Sequence, residues 1–135
     1  ARAMGKLGDG FVVAGGFPDW DDSSPGIKFI NELQKKYHPN KIATHTQYNG
    51  GMLEAMTQVE ALRLALQKVP LDKLTPRDVL EQGFYKIKNL ETGGLSSSPL
   101  SYGPGKIEGV DKVRVDQLQE GKVVQRGVWP ARNIY

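Results

Sequence analysis

The apolar positions follow two periods along this chain, about 3.6 residues through its middle and 2 near either end. Gly10-Phe-Val-Val-Ala14 is a short β-branched and aromatic run bounded by glycines, which predicts a buried strand. Residues 1–8 before it read as the tail of a helix that stops at Gly5 or Gly8. A loop of turn formers follows, Gly15-Gly16-Phe17-Pro18-Asp19-Trp20-Asp21-Asp22. Ser24-Pro25 predicts a helix start, with serine at the N-cap and proline where a missing N–H costs nothing. Phe29, Ile30, Leu33 and Tyr37 recur at helical spacing, and His38-Pro39-Asn40 is the stop.

The longest helical pattern runs from about Asn49 to Lys68. Leu53, Met56, Val59, Leu62 and Leu66 make its apolar stripe, with Ala61 and Ala65 beside it and Glu54, Gln58, Arg63 and Gln67 opposite. Pro70 ends it. Thr75-Pro76-Arg77-Asp78 repeats the start signal, with an acid in the first turn to suit the helix dipole. Val79, Leu80, Phe84 and Ile87 are the expected buried stripe of this third helix. Gly83 within it costs about 1 kcal/mol relative to alanine, and so marks either a close-packing point or a break. From Asn89 to Gly109 glycine, serine and proline dominate, which predicts a long irregular connection of the kind that is usually functional or interdomain. The end reads as a hairpin: Val113 and Val115 alternate with Lys112, Arg114 and Asp116, Glu120-Gly121 is the turn, and Lys122–Arg126 returns.

The fold class is therefore α/β: one strand, three helices, a long loop and a C-terminal β-hairpin. These pieces make no obvious two-layer sheet of their own, so the strand and the hairpin are expected to need strands from outside the chain. Composition narrows the function. The chain is 39% hydrophobic and 24% charged, which is ordinary for a folded domain. The absence of cysteine removes disulfides, thiolate chemistry and cysteine-based zinc sites. A net charge of +3 raises nucleic acid as a partner, but Lys35-Lys36, Lys86/Lys88 and Lys112/Arg114 are dispersed among acids, and no nucleic-acid partner is expected. The first residues lack both the apolar core of a signal peptide and an initiator methionine. They read as a mature start or as the interior of a longer protein.

Three stretches, in order, resemble the final part of the type I periplasmic solute-binding proteins of ABC importers. The first is the strand Gly10–Ala14 with Pro18, an acidic loop and an amphipathic helix ending near Tyr37. The second is Thr46-Gln47-Tyr48-Asn49-Gly50-Gly51 opening a helix through Glu60-Ala61-Leu62 to Ala65. The third is Leu95-Ser-Ser-Ser-Pro99, Tyr102-Gly103-Pro104, Glu108-Gly109 and a strand-turn-strand carrying Gln117-Leu118-Gln119-Glu120-Gly121-Lys122. The resemblance implies part of a two-lobe fold with the solute in the cleft between lobes. Residues 1–20 would end the second lobe and form a hinge. Residues 21–88 would be the helical part of the first lobe, 89–109 the crossover loop, and 110–135 the hairpin and tail of the second lobe.

It also implies a non-enzymatic, extracytoplasmic protein, either periplasmic or membrane-anchored outside a Gram-positive cell. Its partners would be a small amino acid, amide or aromatic acid, the remaining N-terminal part of the same protein, and the membrane permease. The alternative is a small autonomous α+β interaction module without catalytic activity.

An apolar cleft that orients a carboxylate or amide needs a few well-placed donors. The candidates are Phe17 and Trp20 in the loop, and His45, Gln47 and Tyr48 before the long helix. For each there is a plainer role: packing for the aromatics, surface exposure for His45 and Gln47. Asp19, Asp21 and Asp22 lack the spacing and closing glutamate of a calcium loop. Gly103-Pro-Gly105-Lys-Ile-Glu-Gly109 is no phosphate-binding loop, and Ser96–Ser98 has no histidine partner. Neither a metal, a cofactor nor a catalytic residue is expected.

Overall fold

The computed structural model describes residues 2–131, with side chains from residue 5 onward. Residue 1 and residues 132–135, the end of the expected C-terminal tail, lie outside the described residues. The N-terminal segment Arg2–Gly8 is a 3-10 turn kinked at Gly5 rather than the end of an α-helix.

The middle of the chain is a helical unit. Helix α1 spans Pro25–Tyr37, with proline in its first turn as the sequence predicts. Ser24 has the extended backbone of an N-cap, but its hydroxyl makes no capping bond; its N–H instead donates to the Asp22 carboxylate at 2.8 Å. Helix α2 spans Thr46–Leu66, so it begins at Thr46 and not Asn49. The third helix opens with a full capping box: the Thr75 hydroxyl accepts the Asp78 N–H at 3.2 Å, and the Asp78 carboxylate accepts the Thr75 N–H at 3.0 Å. Only Pro76–Asp78 (α3) is regular, however. Val79–Gly83 widens into a π-turn and Phe84–Lys86 tightens into a 3-10 turn.

Ile27, Ile30, Leu53, Leu95 and Leu100 form the core, where α1 and α2 close over the irregular segment. That segment is tied into the fold: Leu90 and Leu100 exchange backbone hydrogen bonds at 2.9 and 3.0 Å.

The buried faces differ from those expected. On α2 the buried row is Leu53, Thr57, Ala61 and Ala65, while Val59 is 66% exposed and Leu62 and Leu66 are also exposed. Small residues win this face because the turn at Gly83 lies directly on it. On α1, Ile27, Ile30 and Gln34 are buried, and Phe29 and Tyr37 are exposed. Gln34 can be buried because its Oε1 accepts the Ala43 N–H at 2.6 Å. In the third helical segment Ile87 is buried as expected, but Leu80 is exposed.

The two ends of the chain form a three-stranded antiparallel sheet in the order β1-β2-β3. These strands are Val12–Gly15, Lys112–Gln119 and Lys122–Pro130. β1 and the hairpin were expected to need foreign strands; they pair with each other, Val13 opposite Asp116 and Val12 opposite Gln117. β1 was also expected to be buried, yet Val12 and Val13 are exposed. It is a four-residue edge strand with no further strand outside it among the described residues.

Directly paired residues share a face. One face carries Val13, Arg114, Asp116, Leu118, Val123 and Val128. The other carries Val12, Ala14, Val113, Val115, Val124 and Trp129. None of those six is fully buried. A bulge between Val115 and Asp116 lets β3 accommodate Arg126 as an extra residue.

The chain passes between sheet and helical unit twice, at 16–24 and near 107–111. The junction is held by Arg114, whose side chain is 11% exposed and bridges Asp22 in the first crossing and Asp116 in β2, both at 2.8 Å. Burial alone would raise the Asp22 pKa, but hydrogen bonds from the Ser24 N–H and Arg114 outweigh it and hold the carboxyl below the ordinary aspartate range. A depressed folded-state pKa contributes stability above the ordinary aspartate value and loses it as pH falls through the lower folded value. The melting temperature of Asp22→Asn is therefore expected to lie below wild type at neutral pH. The gap should close below about pH 4, in the range where an unfolded aspartate takes up its proton. A gap that stays constant down to pH 3 would show that the carboxylate charge is not what holds the junction.

Candidate functional site

Where the sheet meets the start of α2, the chain forms an open cleft of about 570 Å³. Its floor is the polar-and-apolar face of the sheet, with Phe11 and Val13 on β1 and its approach, Asp116 to Leu118 on β2, and Val123 on β3. One wall is the loop after β1, which supplies Phe17, Asp19 and Trp20. The other is Thr44 to Gln47, the approach to α2 and its first turn.

The two walls are cross-tied. Asp19 Oδ1 accepts from the Trp20 N–H at 2.8 Å and from the Thr46 hydroxyl at 3.3 Å. Asn49, which is buried, donates its amide to the Pro18 carbonyl at 3.3 Å. The loop takes this path because Pro18 is fully buried, which anchors its middle, and because Gly50 gives the Phe17 ring a flat seat. A Cβ at position 50 would stand 3.3 Å from the ring.

Four of the five residues singled out from the sequence meet in this cleft: Phe17, Trp20, His45 and Gln47. Tyr48 does not line it. One position further along α2, its ring packs against the cluster of Ile27, Ile30 and Leu53. His45 holds the N-cap position of α2 with extended backbone and makes no capping bond through its side chain.

Sequence reasoning missed the floor. The alternation of Val113, Val115 and Gln117 against Arg114, Asp116 and Leu118 reveals two faces. It does not reveal that β1 lies beside β2, which is what brings Phe11 and Val13 under the loop. Thr44, Thr46 and Asp19 were also missed; their positions beside His45 and Trp20 were the available signal.

The chemistry of the lining is consistent across both walls. Phe11, Val13, Phe17, Trp20, Leu118 and Val123 give an apolar body. His45, Gln47 and the two threonines offer hydrogen bonds. No lysine or arginine lines the cleft, and Asp116 is engaged by Arg114. Such a lining can hold a small, largely apolar solute by one polar end. Among the described residues no group of three or more histidine, aspartate and glutamate side chains is placed to hold a metal ion. No described helix is long and apolar enough to cross a membrane.

A smaller cavity of about 230 Å³ lies on the other side of Phe17. Leu53, Phe84, Leu100 and Val110 give it apolar walls. Tyr102 lines it too, its ring edge-on to Phe84 with centroids 5.7 Å apart. Burial raises the Tyr102 phenol above its ordinary pKa, against the opposing effect of a hydrogen bond with Thr57. Gly109, with φ +75, lets the backbone pass under this ring, where a Cβ would fall 2.5 Å from it.

Neither the family models nor the curated proteins give a match to this chain. Among solved structures, a branched-chain amino acid ABC transporter protein from Thermus thermophilus, solved with bound valine, has the same fold, with a TM-score of 0.77 at 22% identity. The superposition takes in 96% of this chain and 35% of the other, so the chain spans about a third of that protein's length. The resemblance drawn from the sequence thus holds at the level of fold: an α/β arrangement that forms part of a periplasmic-binding-protein architecture.

Proposed function

We propose that this chain is part of an extracytoplasmic solute-binding protein serving an ABC importer, and that it contributes one side of the solute cleft. The cleft that gathers Phe17, Trp20, His45 and Gln47 at the meeting of sheet and helix carries this reading. The fold shared with a branched-chain amino acid transporter protein supports it. The solute would be a small amino acid, amide or aromatic acid, its apolar part on Phe17, Trp20 and Val13 and its polar end toward His45 and Gln47. Tyr48 would act indirectly, by fixing the first turn of α2. No catalysis is required of any residue.

In this reading residues 1–20 and 110–135 belong to the second lobe and residues 21–88 to the first, with 89–109 crossing between them. The remaining part of the protein would cover the apolar sheet face of Val12, Ala14, Val113, Val115, Val124 and Trp129, and would extend the free edges of β1 and β3. An uncovered face and two open edges are a liability in an isolated domain. Closure of the lobes around solute would give the form that the permease recognises.

Trp20 provides the test. In a Trp129→Phe background it is the sole indole, and titration with a branched-chain amino acid, an amide and an aromatic acid should give a saturable emission change for one class. Binding is expected in the millimolar range, because one side of a cleft makes only part of the contacts. A flat response to all three classes up to about 10 mM, where even 3 kcal/mol of binding would register, would rule the reading out.

A further inference from the structure

We propose that the smaller cavity behind Phe17 is a distal subsite for the chain of a longer solute, and that the Phe17 ring is the partition between it and the main cleft. This rests on the solute-binding reading above. Phe17 lines both cavities, the main cleft of about 570 Å³ and the smaller one of about 230 Å³. Gly15 borders the first and Gly16 the second, so the backbone at these two glycines is the rim between them.

The backbone beyond the ring is fixed. Pro18 is fully buried, and its carbonyl is held by Asn49 at 3.3 Å. The ring itself is 40% exposed and rests on Gly50, which presents no side chain to lock it. A side chain with two torsions on an anchored backbone can swing where its neighbours cannot.

The cavity behind it suits an apolar, unbranched chain. Leu53, Phe84, Leu100 and Val110 are its apolar walls, where the chain would lie, and Glu54, Gln58 and Glu108 form a polar border around them. With the ring in place the main cleft accepts a compact solute. With the ring absent or turned aside, a longer chain gains the second cavity, and each methylene that enters it should tighten binding roughly fourfold.

A homologous series separates these states. Straight-chain 2-amino acids of increasing length, from butyrate-sized to octanoate-sized, are titrated against the Trp129→Phe protein while Trp20 emission is followed. The affinity of this parent protein should level off early in the series. With Phe17→Ala added it should keep climbing, roughly fourfold per added carbon. Phe17→Leu, which keeps an apolar side chain at the rim, should move the cut-off by less and guards against a folding defect in the alanine variant.

An identical cut-off in all three proteins would overturn the partition while leaving the solute-binding reading intact, as would a parent protein whose affinity already climbs through the whole series. A series that leaves Trp20 unmoved while an amide or an aromatic acid moves it would also overturn the partition alone. Failure of the solute-binding reading looks different: neither the series, an amide nor an aromatic acid perturbs Trp20 in any of the three proteins, and both proposals then fall together.

Discussion

Ile27→Ala is expected to cost about 2–5 kcal/mol of folding stability, the range measured for truncating a fully buried aliphatic side chain. Ile27 has no exposed surface and sits in the cluster that joins α1 to α2 and to Leu95 and Leu100. Its neighbours come from three separate stretches of chain, so collapse around the void is hindered. For a domain whose total stability is about 5–15 kcal/mol, the loss is a large share of the whole. Chemical denaturation reads it directly as a lower midpoint. A midpoint within experimental error of wild type would mean that the helical unit is not held together by this cluster.

Gly83→Ala is the second large effect, and its cause is the opposite one. A Cβ at this position would lie 2.4 Å from the Ala61 carbonyl oxygen and 2.9 Å from its carbon. Both are backbone atoms of α2 and cannot swing away. The π-turn must therefore move off the helix, at an expected cost of about 1–3 kcal/mol. On an exposed helix the same substitution would have been stabilising, since alanine is the better helix former by about 1 kcal/mol. The sign of the change thus decides between contact and propensity. A raised melting temperature for Gly83→Ala would show that α2 and the turn do not touch as described.

Those two positions also show what could be read from the sequence. The limits of α1 were legible, because Ser24-Pro25 and His38-Pro39 act on the backbone locally. So were the hairpin turn at Glu120-Gly121, where both residues adopt positive φ, and the capping box at Thr75. Gly83 was legible as a choice between close packing and a break, and the structure shows both: it packs against Ala61 of α2, and the helix passes there from a π-turn to a 3-10 turn.

The buried faces were legible only in part: Ile30, Leu53 and Ile87 were expected to be buried and are. Apolar size on α2 favours Val59, Leu62 and Leu66, yet the face that packs is the row of Thr57, Ala61 and Ala65. A helix that must accept a backbone turn against its side needs small residues there, and nothing local to α2 says where the turn will land. Gly26 has the same origin: a Cβ there would meet Leu95 Cγ at 2.5 Å, across nearly seventy residues of sequence.

The candidate cleft was half legible for a similar reason. Phe17, Trp20, His45 and Gln47 stand out as aromatic or polar groups beside turn glycines and a helix start. Phe11, Val13 and Leu118 join them only through the pairing of β1 with β2, a contact spanning most of the chain. Arg114 was read as one of a dispersed pair of basic residues. It proved to be the bolt between the sheet and the loop that carries the cleft wall, through its bonds to Asp22 and Asp116.

Amide NMR of the nitrogen-labelled chain, titrated in turn with a branched-chain amino acid, an amide and an aromatic acid, tests the central claim most directly. One class should move the resonances of Phe17 to Trp20, Thr44 to Gln47 and Asp116 to Leu118 together, with a common saturation curve, and leave the other sheet face, that of Val113, Val115 and Trp129, unchanged. Resonances that stay fixed at those three stretches for every class, or that shift on the opposite sheet face instead, would contradict it.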